Sequence, residues 1–431
     1  MVLVLEKFER DAASAGSFAV PAWRRASPDA SGLSLSVAYL LYGLVMAVFL
    51  TWFMPPFQNP DELNHFFKAD QISRGQIISD RGGGHISVAI ATANYEADTT
   101  WTAQTLPAIF PNTAIYPPAL YVPAAAAIIA GKAMSLSVIQ TLRLIRMTNA
   151  LLAIAIVALA IALAGAASTW IFLLCALPMS VSVMTSVSQD GLIIALTALA
   201  CALLLQQRAR LGIASFLLIL IAMAKPPYTV LALALIATAR APRTSRLISA
   251  AALLACVLTW TWIAHHYSAT PLRTDIHVST AEQIRHLLAS PLEIIRPTVR
   301  SLVVNRIIYG ESFIGVLGRM ELYLSDYYYL FVAGVLLVFA IQLRPTPDWR
   351  TFGRTAAAVV TGGIIFLSLY LVWTEVGARM VDGIQGRYFI PIAIVLTAMV
   401  PMAASRWQIA GCVLFALVSA GETMRSVATF F

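Results

Sequence analysis

Charge is scarce in this chain. Of 431 residues only 12% are Asp, Glu, Lys or Arg, while 59% are hydrophobic. A mean hydropathy of +0.78 is more apolar character than one soluble core absorbs, so a water-soluble globular protein is excluded and a polytopic membrane protein is expected. Cysteine is scarce too. The four present, Cys175, Cys201, Cys256 and Cys412, all lie inside apolar runs, which argues for small packing side chains and against a disulfide framework or a thiolate metal site. The sequence has no Walker loop, no GxGxxG turn and no GxSxG elbow, which removes the P-loop, dinucleotide-binding and hydrolase chemistries those motifs serve. No short apolar core with a cleavage site precedes the first long run, so no signal peptide is expected. No internal repeat divides the chain into the matched halves common in transporters.

What charge there is lies between the apolar runs. Lys plus Arg number 29 against 21 Asp plus Glu, a formal +8, but basic residues so placed set membrane orientation and do not form a nucleic-acid surface. Residues 1–32 are expected to be a cytoplasmic tail and 33–431 a single transmembrane domain. The first span, about 33–54, leads into a long loop, 55–146, whose Ala-rich helix at about 119–135 is interrupted by Gly131 and Lys132. A helix of that composition is a poor lipid-facing span. Keeping it on the outer side puts three basic clusters inside, at Arg208/Arg210, Arg240/Arg243/Arg246 and Arg344/Arg350/Arg354; letting it cross puts all three outside. The positive-inside rule favours the first arrangement.

The remaining spans then fall at about 144–164, 169–187, 190–207, 211–224, 227–239, 247–266, 326–343, 355–374, 388–404 and 408–427. The expected fold is therefore an all-α membrane bundle of about eleven helices, with a second large outer loop at 267–325. Spans 211–224 and 227–239 are shorter than the roughly 20 residues of a straight crossing. They meet at Lys225-Pro226-Pro227-Tyr228 and read either as a hairpin with the lysine at its outer tip or as one broken helix, which would invert everything after it.

On this topology the chemistry-bearing side chains gather on the outer face. Asp61 and Glu62 follow Pro60 directly beyond the first span, with His65 one helical turn on. Asp61 is either a helix cap or a base at the mouth of a membrane cavity, with Glu62 as the alternative base. Asp190, in Ser188-Gln189-Asp190-Gly191, is either a cap or a second carboxylate that orients an acceptor or holds a divalent cation; His65 is a candidate for the same role. Lys225 either snorkels to the interface or binds a lipid-linked phosphate. In Gln385-Gly386-Arg387-Tyr388, Arg387 offers a forked donor suited to phosphate oxygens, with Gln385 and Tyr388 beside it. Arg143 and Arg146 lie on the outer side against the positive-inside rule, so they contact either phosphate or lipid headgroups. His265, His266, His277 and His286 are not spaced as metal ligands.

These motifs carry a resemblance. An acidic pair soon after span one, Tyr116-Pro117-Pro118, an Arg before the next span and an Asp two spans later resemble the GT-C glycosyltransferase superfamily. Together, Pro60-Asp61-Glu62-x-x-His65, Ser188-x-Asp190, Lys225-Pro226-Pro227-Tyr228 and Gln385-Gly386-Arg387-Tyr388-Phe389 are similar to a bacterial family of predicted membrane proteins placed near that superfamily, over about residues 35–425. The resemblance implies an inverting transferase of the bacterial inner membrane, moving a sugar from a polyprenyl-phosphate donor to an extracytoplasmic glycan, lipid or protein. In it Asp61 or Glu62 deprotonates the acceptor hydroxyl. Lys225, Arg387, Arg143 and Arg146 are the candidates for the donor phosphate, and a divalent cation (Mg or Mn) is the only candidate cofactor. The competing function is a flippase or transporter of a lipid-linked glycan, in which the same charges bind substrate without chemistry. Outer-loop carboxylates converging on Lys225 and Arg387 in a cavity sealed from the other face favour the enzyme; a path between both faces favours the transporter.

Overall fold

Helix α1 (Ala30–Phe53) runs 24 residues without a charged side chain. At about 1.5 Å per residue it is ~36 Å long, enough to cross a bilayer core. The computed structural model describes residues 30–93, 96, 98–206, 210–268, 273, 276–343, 348–398 and 406–431. The expected tail up to residue 29, and Arg208 and Arg344 of the basic clusters, lie outside them.

Beyond α1 the chain does not stay irregular. Helix α2 (Glu62–Ser73), an antiparallel pair β1 (Gly83–Ser87) and β2 (Thr105–Ile109), and α3 (Val122–Ala133) enclose a separate core of Phe57, Phe66, Phe110, Tyr121 and Ile128. The fully buried Lys68 ties it together, its ammonium donating to Ser79 Oγ (2.9 Å) and to the carbonyls of Ala114 (3.2 Å) and Ile77 (3.4 Å). Helix α4 (Val138–Leu163) starts on a capping box: Ser137 Oγ accepts from the Gln140 N–H and Gln140 Oε1 from the Ser137 N–H.

The register of α1 against α4 settles the path of the chain. Gly32 meets the Ile161 and Ala162 backbone, Ser36 Oγ donates to the Ala158 carbonyl, Gly43 abuts Ile154, and Arg146 reaches the Thr51 and Met54 carbonyls. Rising numbers on one helix meet falling numbers on the other, so the two run antiparallel. Had α3 crossed between them they would run parallel. Both ends of the intervening segment therefore lie at one end of the bundle, called the site end below. There α3 lies beside the first turns of α4, with Gly131 packed on Thr141.

After α4 the chain returns through α5 (Ser168–Cys175) and α6 (Pro178–Met184), bent by 80° at their junction. The expected single span over 169–187 is thus broken, because Pro178 cannot continue the helix of α5. The freed carbonyls are satisfied by side chains, one local and two from α1: Ser180 Oγ donates to Leu174, Tyr39 to Cys175 and Tyr42 to Ala176. Helices α7 (Asp190–Leu205), α8 (Leu211–Ala224), α9 (Thr229–Thr238) and α10 (Arg243–Ile263) follow. Arg210, Leu211 and Ile213 share a surface pocket with Pro242, Ser245 and Ile248, and the Arg246 guanidinium donates to the Ala237 carbonyl. The far ends of α8 and α9 therefore meet, and the two form a hairpin tipped by Lys225.

Three shorter helices, α11 (Thr280–Ala289), α12 (Ile295–Val304) and α13 (Arg306–Ile314), precede α14 (Asp326–Ala340), α15 (Trp349–Val372), α16 (Ile390–Ala398) and α17 (Arg406–Phe430). The result is an all-α membrane protein whose only other paired strands, among the described residues, are the two-residue pair Val316–Leu317 and Leu322–Tyr323. Each of the eleven expected apolar stretches contains helix, but length does not give eleven straight crossings. Five described helices are long and apolar enough to cross, and the bent α5–α6 pair makes a sixth; 190–205, 211–224, 226–238, 326–340 and 386–397 are apolar helices of 10–17 residues.

Candidate functional site

Asp61 occupies the N-cap position of α2, yet its side chain makes no capping bond. Its backbone is left-handed, with φ 56° and ψ 12°, a conformation that costs a non-glycine residue about 1–3 kcal/mol and persists only where the surroundings enforce it. The twist turns the carboxylate away from the helix. Oδ1 accepts from Asn112 Nδ2 at 3.1 Å and Oδ2 from Arg387 at 3.3 Å, and the side chain is 41% exposed.

Asp190 does not serve as a cap either. It is the first residue of α7, and Gly191 behind it has no room for a Cβ against the Met184 backbone, so the start of α7 is pressed onto α6. The carboxylate faces Lys225 Nζ at 2.6 Å and Arg387 Nε at 3.3 Å. Lys225 stands where α8 ends. It is extended, as a residue before proline must be, and its ammonium also lies 4.6 Å from the Tyr388 ring centroid. The α8 and α9 arms of this hairpin have 14 and 10 residues, about 21 and 15 Å. The neighbouring helical stretch Arg243–Ser268 has 26 residues, about 39 Å. Lys225 therefore lies at the floor of a depression whose wall rises past it, with Trp260 of that wall donating to the Ile115 carbonyl.

Arg387 is delivered by the short 3-10 turn Gly386–Phe389. Gly386 is packed so closely that a Cβ would overlap the Tyr309 carbonyl and the Phe313 backbone of α13, and its N–H donates to Ser312 Oγ at 2.8 Å. With its side chain only 4% exposed, Arg387 touches both acids. The Asp190 contact is one of charge, not an aligned hydrogen bond, and Nη1 is buried without a protein partner. The neighbouring Tyr388 presents its ring to both cations and takes a hydrogen bond on its carbonyl from Tyr228.

Two carboxylates and two cations, drawn from positions 61, 190, 225 and 387, thus form one chain of contacts with no net formal charge. Asp190, Lys225 and Arg387 line a recess walled by Val183, Ile193, Ile194 and Pro391. Below it α7 is buried through Leu204, so the floor is packed core.

His65 lies one turn beyond Asp61, as the spacing predicts, but does not face solvent. Its Nδ1 is 2.6 Å from the Tyr121 hydroxyl and its ring stacks on Tyr116. Burial pushes its pKa down to about 4, against the opposing pull of the Asp61 and Asp190 charges, so the ring is neutral near pH 7. Glu62 points elsewhere. It is fully buried in a bidentate pair with Arg146 (2.6 and 2.9 Å) and accepts from Asn59, while Arg146 also donates to the Met54 and Pro55 carbonyls. This clamp fastens the end of α1 to α4. Arg143, three residues earlier, is half-buried. Of the acids and cations proposed from sequence, Asp61, Asp190, Lys225 and Arg387 come together; Glu62 and Arg146 engage each other instead.

Sequence motifs assign no role to Asn112, which holds Asp61, or to Gln189, whose amide is buried with neither atom partnered; Gln385, of the Arg387 motif, has a buried, unpartnered Oε1. Gln189 and Gln385 stand beside charged motifs in the sequence, whereas Asn112 lies in an uncharged stretch that carries no such signal. Among the described residues no three His, Cys, Asp or Glu side chains gather as a metal-binding group. The oxygens of Asp61 and Asp190 face Asn112, Arg387 and Lys225, so this donor set does not fit the Mg or Mn ion considered above.

Helices of bilayer-crossing length and a charged cluster set at one end of an apolar bundle define an all-helical membrane protein. The chain belongs to a family described as "Predicted membrane protein (DUF2142)", whose sequence model matches residues 85–396. That stretch includes Asp190, Lys225, Gln385, Arg387 and Tyr388; Asp61, Glu62 and His65 precede it. No curated protein and no solved structure matches the chain.

Proposed function

We propose that this protein is an inverting glycosyltransferase that moves a sugar from a polyprenyl-phosphate carrier to an acceptor hydroxyl at the site end of the bundle. The observation that supports the reading is the convergence of Asp61 and Asp190 on Arg387, with Lys225 on Asp190, beside a recess lined by Asp190, Lys225 and Arg387. A continuous path between both ends would support the transporter reading, and the packed α7 beneath the cluster argues against it.

In this reading the donor's phosphate takes contacts now made by the two acids. It meets Lys225 and the unpartnered Nη1 of Arg387, and its polyprenyl chain lies between helices. Asp61, the most exposed of the four and already aimed by Asn112 and its fixed backbone, accepts the acceptor's hydroxyl proton. The freed oxygen pair attacks the anomeric carbon from the face opposite the phosphate. The carbon–oxygen bond to phosphate breaks with its electron pair on the leaving oxygen, inverting the centre. Polyprenyl phosphate departs with one more negative charge, which Lys225 and Arg387 stabilise. A phosphate is a weak base and needs no general acid. The unpartnered amide of Gln189 and the unpartnered Oε1 of Gln385 are suited to sugar hydroxyls.

The test is to incubate the reconstituted protein with candidate polyprenyl-phosphate sugars and acceptors and to analyse the lipid extract. Release of free polyprenyl phosphate with matching appearance of glycosylated acceptor is the expected result. Intact donor that changes leaflet instead overturns the transferase and installs the flippase.

A further inference from the structure

Helices α11 to α13 carry their polarity inside out. Their inward polar residues each hold a backbone group of the chain leading to Arg387. Gln283 Oε1 accepts from the Gly377 N–H (2.9 Å), Ser301 Oγ from Val381 (2.8 Å) and Ser312 Oγ from Gly386 (2.8 Å). Facing outward are apolar side chains. Leu288 and Leu292 are each 75% exposed, and at 3.6 residues per turn Ile295, Val299 and Leu302 form one exposed stripe along α12. Arg296 and Arg300 flank that stripe and are exposed too. A loop solvated by water would show the reverse arrangement, and an apolar patch this continuous marks a contact surface.

From this we infer that α11–α13 lie in the interfacial plane of the bilayer, with the Ile295–Val299–Leu302 stripe in the acyl region and Arg296 and Arg300 at anionic headgroups. Three observations favour lipid over a protein partner. The stripe belongs to a chain whose neighbouring α10 already exposes Leu258 and Trp262 along a span of crossing length. Arginines edge the apolar face, as in interfacial helices that bind anionic membranes. Leu287 and Ile294 pack on the main core, fixing the segment to the membrane bundle. Because Ser301 and Ser312 hold the Val381 and Gly386 amides, seating these helices in the membrane also sets the position of Arg387. The inference is independent of the glycosyl-transfer reading.

The experiment places single nitroxide labels at Ile295→Cys, Val299→Cys, Leu302→Cys and Arg296→Cys, all surface positions. Cys256, which is not fully buried, is replaced by Ser. The full chain is reconstituted in vesicles of phosphatidylcholine and phosphatidylglycerol. Collision with dissolved oxygen should exceed collision with the nickel–EDTA-diacetate complex several-fold at 295, 299 and 302, and the order should reverse at 296. Brominated-lipid quenching of Leu302→Trp, measured against the parent protein, should agree. High nickel-complex access at all four positions would overturn the proposal, leaving a solvated loop. Protection from both reagents at the stripe would overturn it in favour of a protein partner.

Discussion

A carboxylate in a left-handed turn is the most telling residue of this molecule. Asp after proline is what a helix cap looks like, and Asp at the head of an apolar helix looks the same, so sequence left Asp61 and Asp190 open between cap and site. Neither makes the capping bond: Arg387, 326 positions away, takes the Asp61 carboxylate, and Lys225 with Arg387 takes that of Asp190, and no local pattern contains those partners. The same blindness made Glu62 an equal candidate for the base, its own partner Arg146 being 84 positions distant. The two acids should now separate experimentally. Asp61→Asn is expected to fold, melt like the parent and lose roughly 10²–10⁴-fold in turnover, the usual contribution of a general base. Parent-like turnover would remove Asp61 from that role. Glu62→Gln leaves Arg146 as a buried charge with half a partner, a defect on the order of 3–5 kcal/mol. Its signature is a lowered melting temperature with near-normal turnover per folded molecule, and a normal melting curve with lost turnover would restore Glu62 as the base. His65 makes a pH prediction. Its pKa is about 4 in the fold against an ordinary value near 6.5, so between these pH values the unfolded chain binds the extra proton. The stability that depends on a neutral His65 is complete above about pH 6.5 and declines as pH falls toward 4, by roughly 3 kcal/mol at most. Melting temperatures of His65→Gln, which cannot titrate, should fall less steeply over that window than those of the parent.

At the scale of elements, apolar runs were easy to see and breaks were not. Window-averaged hydropathy dilutes Pro178 among its apolar neighbours inside 169–187, whereas geometry makes it an 80° corner whose freed carbonyls need Tyr39, Tyr42 and Ser180. The strands β1 and β2 escaped notice for another reason: a Gly-rich start and the long connection between them leave no hairpin signature. The hairpin of α8 and α9 was legible as one of two possibilities, since the helices are too short to cross and a double proline joins them. Its consequence, a cation recessed below the rim, needed the length of α10 for comparison. The turn bearing Arg387 offers the sharpest test at this scale. Gly386→Ala forces a methyl against the Tyr309 carbonyl and the Phe313 backbone, so the turn must move and take Arg387 with it. Overpacking of this kind costs about 1–3 kcal/mol. The distinguishing outcome is that donor affinity, measured on protein still folded below its melting point, falls along with stability. Unaltered affinity would mean the turn does not position Arg387.

Across the whole molecule, the order of elements along the chain mattered more than any single motif. The antiparallel register of α1 and α4 places the entire segment between them at one end, and the α8–α9 hairpin returns Lys225 to that same end. Four charges from the length of the chain can then meet on one side of an apolar bundle. The other end is marked by Arg210, Arg240, Arg243 and Arg246, with Arg354 donating to Thr238 there. Arginines concentrated at the ends of short connections belong on the cytoplasmic side, so the site end is expected to face outward. Asp98 at the site end and Ser245 at the opposite end are both exposed and chemically unremarkable, which suits them for cysteine replacement. In intact cells a membrane-impermeant maleimide should label Asp98→Cys at once and reach Ser245→Cys only after lysis. The reverse result would keep the fold and invert its orientation, moving the site to the cytoplasmic face. Equal labelling of both positions before lysis would contradict the path of the chain from α4 through α7 to the far ends of α8 and α9, which puts Asp98 and Ser245 at opposite ends of the bundle.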